Sequence, residues 1–264
     1  MVFTVKSIQG KREYMEDKYA YLEEGDIKIA MVCDGHGGDS VSNATCYYLP
    51  NLLYRVLIQN YLSNSHLAVA IRHVIMEWGL KMQNHNPGST LTGIAVKSGV
   101  VYVYNIGDSR CTIELPRECI YKLEPQFDSG GQFIDNVNIN YRLQQGIFST
   151  RDHSIEDNLE LYRVNNAGGK IIGQRLNGIL ALVRSFGDST VGDGLSFIPD
   201  IYWFKKSVGM GPVLLYSDGI YEPAGFTPQT IYNYAINHGV DALVDAASSA
   251  GSGDNLTAML VHLN

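Results

Sequence analysis

Three aspartates stand where an apolar run begins or ends, and residues in that position could do chemistry. They are Asp34, Asp218 and Asp254. A carboxylate at the tip of a buried strand is held rigidly, and several strand tips can converge on one crevice. Magnesium and manganese prefer oxygen ligands in near-octahedral positions, which rigid strand ends can provide. The adjacent acids Glu16 and Asp17 could complete the set, so the pattern indicates a site for hard cations.

The same acids also have a purely structural interpretation. Asp34 and Asp218 are each followed by glycine, and an Asp-Gly pair after a strand is more often a hairpin turn than a metal site. Glu16 and Asp17 alone would form an exposed charged turn. The acids by themselves leave both interpretations open, so the segments that position them must be considered.

Those segments come in blocks of strands and blocks of helices. Runs rich in β-branched and aromatic residues predict strands at 3–8, 28–33, 91–96, 100–106, 213–216 and 255–263. Apolar residues at helical spacing and capping signals predict helices at 53–61, 71–78, 158–166 and 227–250, the last interrupted near Gly239. The short turn Lys97-Ser98-Gly99 favours an antiparallel hairpin. Blocks of this kind predict an α+β fold, with sheets packed on each other and helices outside.

Composition narrows the classes of function. The chain has 264 residues, 45% of them hydrophobic, and a formal net charge of -7. Nucleic acids and anionic membranes need a cationic protein surface, so we expect neither as a partner. An acidic surface would also repel a phosphorylated substrate, and phosphate chemistry would therefore need local positive charge, most economically from bound metal.

Cysteine usage and the first residues bear on location. The four cysteines form no CxxC pair, and the N-terminal residues lack the apolar core of a signal peptide. The expectation is a monomeric protein of the cytoplasm, with entry into the nucleus left open. No linker divides the chain, which predicts a single domain over 1–264.

A series of short motifs along the chain resembles that of one enzyme family. In order, the motifs are Arg12-Glu13-Tyr14-Met15-Glu16-Asp17, Asp34-Gly35-His36-Gly37-Gly38, Gly88-Ser89-Thr90, Gly107-Asp108-Ser109-Arg110, Asp152-His153, Arg175-Leu176-Asn177-Gly178, 180–188, Ser217-Asp218-Gly219 and Gly253-Asp254-Asn255. The series spans almost the whole chain. It resembles that of the type 2C metal-dependent protein serine/threonine phosphatases.

The resemblance implies a fold, cofactors and roles for individual residues. The implied fold is a four-layer α-β-β-α sandwich, two antiparallel sheets flanked by helices, with two Mg²⁺ or Mn²⁺ ions at one end. The implied metal ligands are Glu16, Asp17 through metal-bound water, Asp34 bridging both ions, the Gly35 carbonyl, Asp218, Asp254 and, for a weaker third ion that is left open, Asp108. The implied catalytic residues are Arg12, which would grip the phosphoryl group, and His36, which would protonate the departing oxygen.

The implied reaction is hydrolysis of phosphoserine and phosphothreonine monoesters in phosphoproteins by water activated between the ions. Two alternatives stay open: a catalytically weak or inactive family member that acts as a regulatory binding protein, and a two-metal nuclease or phosphodiesterase. His153, beside Asp152, is expected to be structural. The stretch 124–146, rich in Gly and Asn, predicts an irregular surface insertion in what otherwise resembles a bare catalytic domain.

Overall fold

The computed structural model describes residues 3–59, 62–116, 118–128, 133–143, 146–223 and 225–263. In chain order its strands are β1 (Phe3–Ile8), β2 (Lys18–Glu24), β3 (Ile27–Cys33), β4 (Gly35–His36), β5 (Gly88–Ser89), β6 (Leu91–Lys97), β7 (Val100–Ile106), β8 (Arg110–Leu115), β9 (Glu118–Phe127), β10 (Phe133–Leu143), β11 (Gly146–Ser149), β12 (Ile171–Ile172), β13 (Arg175–Leu176), β14 (Phe186–Gly187), β15 (Asp200–Lys205), β16 (Val213–Tyr216) and β17 (Leu256–Val261). The helices are α1 (Ser40–Leu57), α2 (Asn64–Met82), α3 (Asn158–Asn166) and α4 (Pro228–Ser249), with a 3-10 turn at Asp218–Ile220.

Strand β3 shows why the sheets form a sandwich. Its residues Met31 and Cys33 belong to the core beneath helices, whereas Ala30 and Val32 belong to the core between the sheets. Because successive side chains of a strand point to opposite faces, a strand that is apolar on both faces must lie between two layers.

Two antiparallel sheets make up the sandwich. One has seven strands in the order β10-β9-β15-β7-β6-β3-β2, and the other has five in the order β1-β17-β16-β8-β11. A small three-stranded sheet, β14-β5-β4, lies beside them, and β12 pairs with β13. Every strand pair in these sheets is antiparallel.

Helices cover the outer face of each sheet. Leu53 of α1 and Trp78 of α2 pack into the core against β3, β6 and β7, and Leu243 of α4 packs with Leu214 of the five-stranded sheet. The layers therefore run α-β-β-α, which confirms the predicted fold class. None of the helices in the described part of the chain is both long and apolar enough to cross a membrane.

Two local predictions are confirmed in detail. The hairpin between β6 and β7 turns at Ser98 and Gly99, whose φ angles of 49° and 73° give the left-handed pair that matches strand twist. Helix α4 is interrupted at Gly239, which has a φ of 86°. Helix α1 begins earlier than predicted and ends at Leu57, while Tyr61, predicted to extend it, lies outside the described residues.

The expectation that the stretch 124–146 is irregular is wrong for its described part. Strands β9 and β10 form an antiparallel hairpin over most of it, with one register shift between Phe133 and Asp135. Strand β9 also pairs with β15, so main-chain hydrogen bonds to an existing sheet outweigh the turn-forming composition. Residues 129–132 and 144–145 lie outside the described part, and the stretch being an insertion stays a prediction.

Candidate metal centre

One edge of the sandwich collects strand ends from both sheets. In the seven-stranded sheet, the β2–β3 register places Asp17 beside Asp34. In the five-stranded sheet, β16 pairs with β17, which brings the turn after β16 to within contact distance of Asp254. Asp218 lies in that turn, and Asp108 follows the end of β7. Acids that are distant in sequence are therefore neighbours at this edge.

These strand ends line a cleft of about 490 Å³. The predicted site residues that line it are Arg12, Asp34, Gly35, His36, Asp108, Asp218 and Asp254. Residues without a predicted role also line it: Asn86, Arg175, Ile179, Leu180, Ala181, Leu182, Asp188 and Thr190. The floor is acidic, and one wall is apolar.

Burial and the crowding of like charges raise the pKa values of aspartates in the floor of the cleft. Removal from water raises the pKa of Asp34 well above its usual range, and the neighbouring charges of Asp17, Asp218 and Asp108 raise it further. Burial and the charge of Asp218 likewise raise the pKa of Asp108. These four neighbouring carboxylates resist simultaneous ionisation, and a bound cation would relieve their repulsion.

Asp17 lies beneath the cleft rather than in its wall. It is only 2% exposed and accepts a hydrogen bond from the Ser217 hydroxyl at 2.8 Å. Burial, with the charges of Asp218 and Asp254, raises its pKa to about 6 against the hydrogen bonds that favour ionisation. This position beneath the other acids is compatible with the prediction that Asp17 acts through metal-bound water.

The carboxylate oxygens of these residues are the type of ligand that hard cations bind. Their present positions, however, do not form a complete site. Among the described residues, no three His, Cys, Asp or Glu side chains are placed so that they could hold a metal ion as they stand. Asp17 Oδ1 and Asp218 Oδ1 are nevertheless buried without a hydrogen-bond partner in the described part of the chain. A buried, unpartnered carboxylate oxygen is costly, and oxygen-binding cations such as Mg²⁺ satisfy it.

Contacts among the side chains use oxygens that a metal would need. The carboxyl groups of Asp34 and Asp218 lie close enough together that a shared proton would relieve their repulsion. The guanidinium of Arg12 pairs with Asp254, Nη2 to Oδ2, at 2.5 Å, and the Arg12 side chain is 53% exposed. Metal binding would therefore displace such a proton and release Arg12 toward the cleft.

Glu16 is a predicted ligand that does not line the cleft. Its carboxylate accepts a hydrogen bond from the Gly38 amide, and it lines a neighbouring pocket with Tyr14 and Met15. Its main-chain oxygen lies 2.6 Å from where a Cβ at Gly35 would stand, so Gly35 must be a glycine for the two loops to meet. Glu16 as a ligand stays a prediction.

Asp108 is held by a structural scaffold. His153 is fully buried, and its Nδ1 accepts a hydrogen bond from the Gly107 amide at 3.0 Å, which confirms the structural role expected for it. The Tyr221 hydroxyl donates to the Asp108 carbonyl at 2.9 Å. The guanidinium of Arg110 stacks 3.6 Å above the Tyr221 ring, so a rigid turn presents the Asp108 side chain.

His36 has a carboxylate partner that the sequence pattern does not predict. His36 Nε2 lies 2.9 and 2.8 Å from the two carboxylate oxygens of Asp188. Asp188 belongs to the motif 180–188, but a carboxylate at the end of a motif does not by itself indicate which side chain it meets. The signal is the glycine at 187, which allows the chain to turn back toward His36.

The pKa of Asp17 makes the stability of the metal-free protein depend on pH. Its folded-state pKa of about 6 lies above the ordinary 3.8, so between these values the folded protein binds more protons than the unfolded chain. Stability therefore falls as pH rises through this window, by about 1 kcal/mol between pH 5 and pH 7. We expect Asp17→Asn to stabilise the metal-free protein more at pH 7 than at pH 5, as measured by urea unfolding. Equal differences at both pH values would contradict the assignment.

Solved structures of known proteins define the class of fold. A Caenorhabditis elegans sex-determining protein superposes with a TM-score of 0.76 at 22% identity over 100% of this chain and 65% of that one. A phosphatase from Toxoplasma gondii superposes with a TM-score of 0.73 at 20% identity, over 99% of this chain and 93% of its own. The sandwich is thus the fold that this chain shares with both of these solved structures.

Sequence comparison finds similarity to one family of proteins. A family profile described as Protein phosphatase 2C matches residues 138–255. A probable protein phosphatase 2C of rice is 25% identical over 97% of this chain and 49% of its own length, and the mouse integrin-linked kinase-associated serine/threonine phosphatase 2C is 24% identical over 97% and 70%. The chain spans about half the length of the rice relative. The chain is similar to members of the protein phosphatase 2C family.

Proposed function

We propose that the chain is a protein serine/threonine phosphatase that hydrolyses phosphoserine and phosphothreonine monoesters with two Mg²⁺ or Mn²⁺ ions. The observation that carries the proposal is the convergence of Arg12 and His36 in one cleft with aspartates that follow or precede strands of both sheets, namely Asp34, Asp108, Asp218 and Asp254. The names of the relatives, several of which are phosphatases, support it. Substrates on this proposal are phosphoproteins, and we propose a monomeric, cytoplasmic enzyme.

The ions would be held by oxygen atoms of the cleft. The proposed ligands are Asp34, Asp218, Asp254 and the Gly35 carbonyl, with Glu16, Asp17 acting through water, and Asp108 for a weaker third ion. When bound, the ions supply an activated water and positive charge that attracts the phosphoryl group. Positive charge matters here because the aspartates alone would repel a phosphate dianion.

The chain's own side chains would bind and orient the ester. The half-exposed guanidinium of Arg12 lies at the cleft and can exchange Asp254 for phosphoryl oxygens, which it can grip with two parallel hydrogen bonds. His36, which follows Asp34 in the sequence, would give a proton to the departing serine or threonine oxygen. Neither role requires a change in the sheets.

A regulatory binding protein without catalysis is the second candidate. It is favoured by the contacts that occupy the acids, namely the close approach of Asp34 to Asp218 and the Arg12–Asp254 ion pair. In such a protein these contacts would be permanent. Manganese binding then decides between the two candidates, since a permanently closed cleft would bind no cation.

The test is hydrolysis of a phosphoserine peptide by the purified chain with manganese and with excess chelator. Turnover that needs manganese supports the proposal, and turnover that survives the chelator contradicts it. Bis-nitrophenyl phosphate and single-stranded DNA are run in parallel, and faster cleavage of these diesters would favour a nuclease or phosphodiesterase. Absent turnover together with absent manganese binding in calorimetry would favour the regulatory protein.

The role proposed for Arg12 gives a prediction of its own. Arg12→Ala should raise KM for the phosphopeptide about tenfold, because it removes charge-assisted hydrogen bonds to the phosphoryl group. Manganese affinity should stay equal or increase, because Asp254 loses a competing cation. The matched control is Lys11→Ala, an exposed neighbouring cation whose Nζ donates to the Gly251 carbonyl, and its KM should be unchanged. Lost manganese binding in Arg12→Ala would refute the role.

A further inference from the structure

The small three-stranded sheet β14-β5-β4 brings two distant segments to the cleft. In its central strand, Gly88 pairs with His36 on one side and with Gly187 on the other. The residue after Gly187 is Asp188, whose amide also donates to the Pro87 carbonyl at 3.3 Å. The sheet thus places Asp188 and His36 next to each other, on either side of Gly88.

The contact between them is close and symmetric. His36 Nε2 lies 2.9 Å from Asp188 Oδ1 and 2.8 Å from Oδ2. A carboxylate only accepts hydrogen bonds, so Nε2 must carry the proton that bonds to Asp188. The Ser185 hydroxyl donates to Asp188 Oδ2 at 2.5 Å, which fixes the carboxylate in turn.

The local backbone is shaped to make this contact. Asp188 has a φ of 55°, in the left-handed region that an aspartate adopts only at a cost. A Cβ at position 88 would stand 2.1 Å from Asp188 Oδ2 and 2.2 Å from His36 Nε2, so glycine at 88 leaves the space that the pair fills. Asp188 itself is only 6% exposed. A strained, buried carboxylate in a space kept clear for it indicates a dedicated partner of His36.

A merely structural role would require only that the pair hold the small sheet together. That sheet already has main-chain hydrogen bonds along β5, and the pair lines the cleft instead of lying behind it. We propose that Asp188 is the positioning residue of His36: it holds the imidazole by Nε2, so that Nδ1 is the nitrogen that serves the substrate. This inference rests on the proposed function and specifies how His36 acts in it.

In the reaction, the bond between phosphorus and the serine oxygen breaks and its electron pair stays on that oxygen. The oxygen takes a proton from His36 Nδ1 and leaves as a hydroxyl group. The water oxygen forms the new bond to phosphorus, and the proton that it releases restores the ring. Asp188 keeps accepting the hydrogen bond from Nε2–H, as the aspartate does for histidine in hydrolytic triads.

The kinetic test uses leaving groups that do and do not need a proton. For a phosphoserine peptide, Asp188→Asn should lower kcat about a hundredfold with KM nearly unchanged, because a misoriented ring no longer protonates an alkoxide. For para-nitrophenyl phosphate, whose phenolate leaves without help, kcat should stay within about threefold. Equal losses on both substrates would overturn the inference in favour of a structural role.

Two further variants sharpen the test. His36→Gln should show the same selective loss, and Asp188→Asn should cost nothing more in the His36→Gln background, because Asp188 acts only through His36. Additive losses would overturn the inference. The matched control is Asp193→Asn, an exposed aspartate of the same segment, which should leave both substrates unaffected.

A measurement on the metal-free wild type keeps the inference testable if Asp188→Asn does not fold. Nitrogen NMR at alkaline pH, where the ring is neutral, distinguishes the two tautomers, and the His36 signals are assigned by their loss in His36→Gln. The Nε2–H tautomer supports the pairing, and the Nδ1–H tautomer overturns it. If the wild type shows no metal-dependent turnover, the proposed function fails, while the tautomer still tests the pairing.

Discussion

Asp34→Asn should abolish manganese-dependent phosphopeptide hydrolysis, by about a thousandfold or more, and should at the same time stabilise the metal-free protein. Activity is lost because the residue proposed to hold both cations no longer carries charge. Stability rises because the pKa of Asp34 is raised by burial and by Asp17, Asp218 and Asp108, so one crowded charge is removed. Phosphopeptide hydrolysis with manganese measures the first effect. Thermal unfolding with and without manganese measures the second, and the upward shift that manganese causes in the wild type should disappear.

The control for this variant is Asp26→Asn. Asp26 is exposed at the opposite end of β3, in the turn after β2, and its change should leave activity within about twofold. Full hydrolysis by Asp34→Asn would refute the proposed centre. A loss of stability in metal-free Asp34→Asn would instead show that the acids are held by their mutual hydrogen bonds more strongly than they repel.

Glu160→Gln should destabilise the protein by about 3–5 kcal/mol, the cost of leaving buried charge unpaired. Glu160 is 1% exposed and accepts from Arg184 and from Arg163 Nε, the latter at 3.0 Å. Burial alone would raise its pKa, but the arginines and His153 hold the pKa below its usual range. Urea unfolding should report the loss.

This network matters to the cleft because it ties helix α3 to the segment that forms the cleft wall. Arg163 also donates to the Val183 carbonyl at 2.8 Å, next to Leu182 of the wall. We expect Glu160→Gln to raise KM as well. Glu156→Gln, an exposed acid just before α3, is the control and should change stability by less than about 0.5 kcal/mol. An unchanged midpoint in Glu160→Gln would show that the arginines are satisfied by carbonyls alone.

The strands that composition predicts are those buried on both faces. Leu91–Lys97 and Val100–Ile106 are buried throughout, and their turn carries a clear signal, so the sequence predicts them well. Lys18–Glu24 was missed because it is an edge strand with half-exposed, charged positions. Asp200–Lys205 was also missed, because its pairing with β7 and β9 depends on partners that are distant in sequence.

The residues of the candidate metal centre likewise divide into those that the sequence predicts and those that it does not. Asp34, Asp218 and Asp254 could be predicted because each marks the end of an apolar run. The Asp188 contact could not, because His36 lies 152 residues away and meets it only through the small sheet. The placement of the Glu16 carboxylate against the Gly38 amide depends on a loop conformation, which periodicity does not encode.

The pairing of β1 with β17 has a consequence for synthesis of the protein. Ser7 and Thr257 contact each other at 2.7 Å and are 250 residues apart in the sequence. During synthesis, β1 therefore has no pairing partner until β17 has been made. Until then the nascent chain has an incomplete second sheet and no Asp254 in the cleft. Such long-range closure makes folding slow. It also means that the proposed metal centre is complete only after Asp254 has been synthesised.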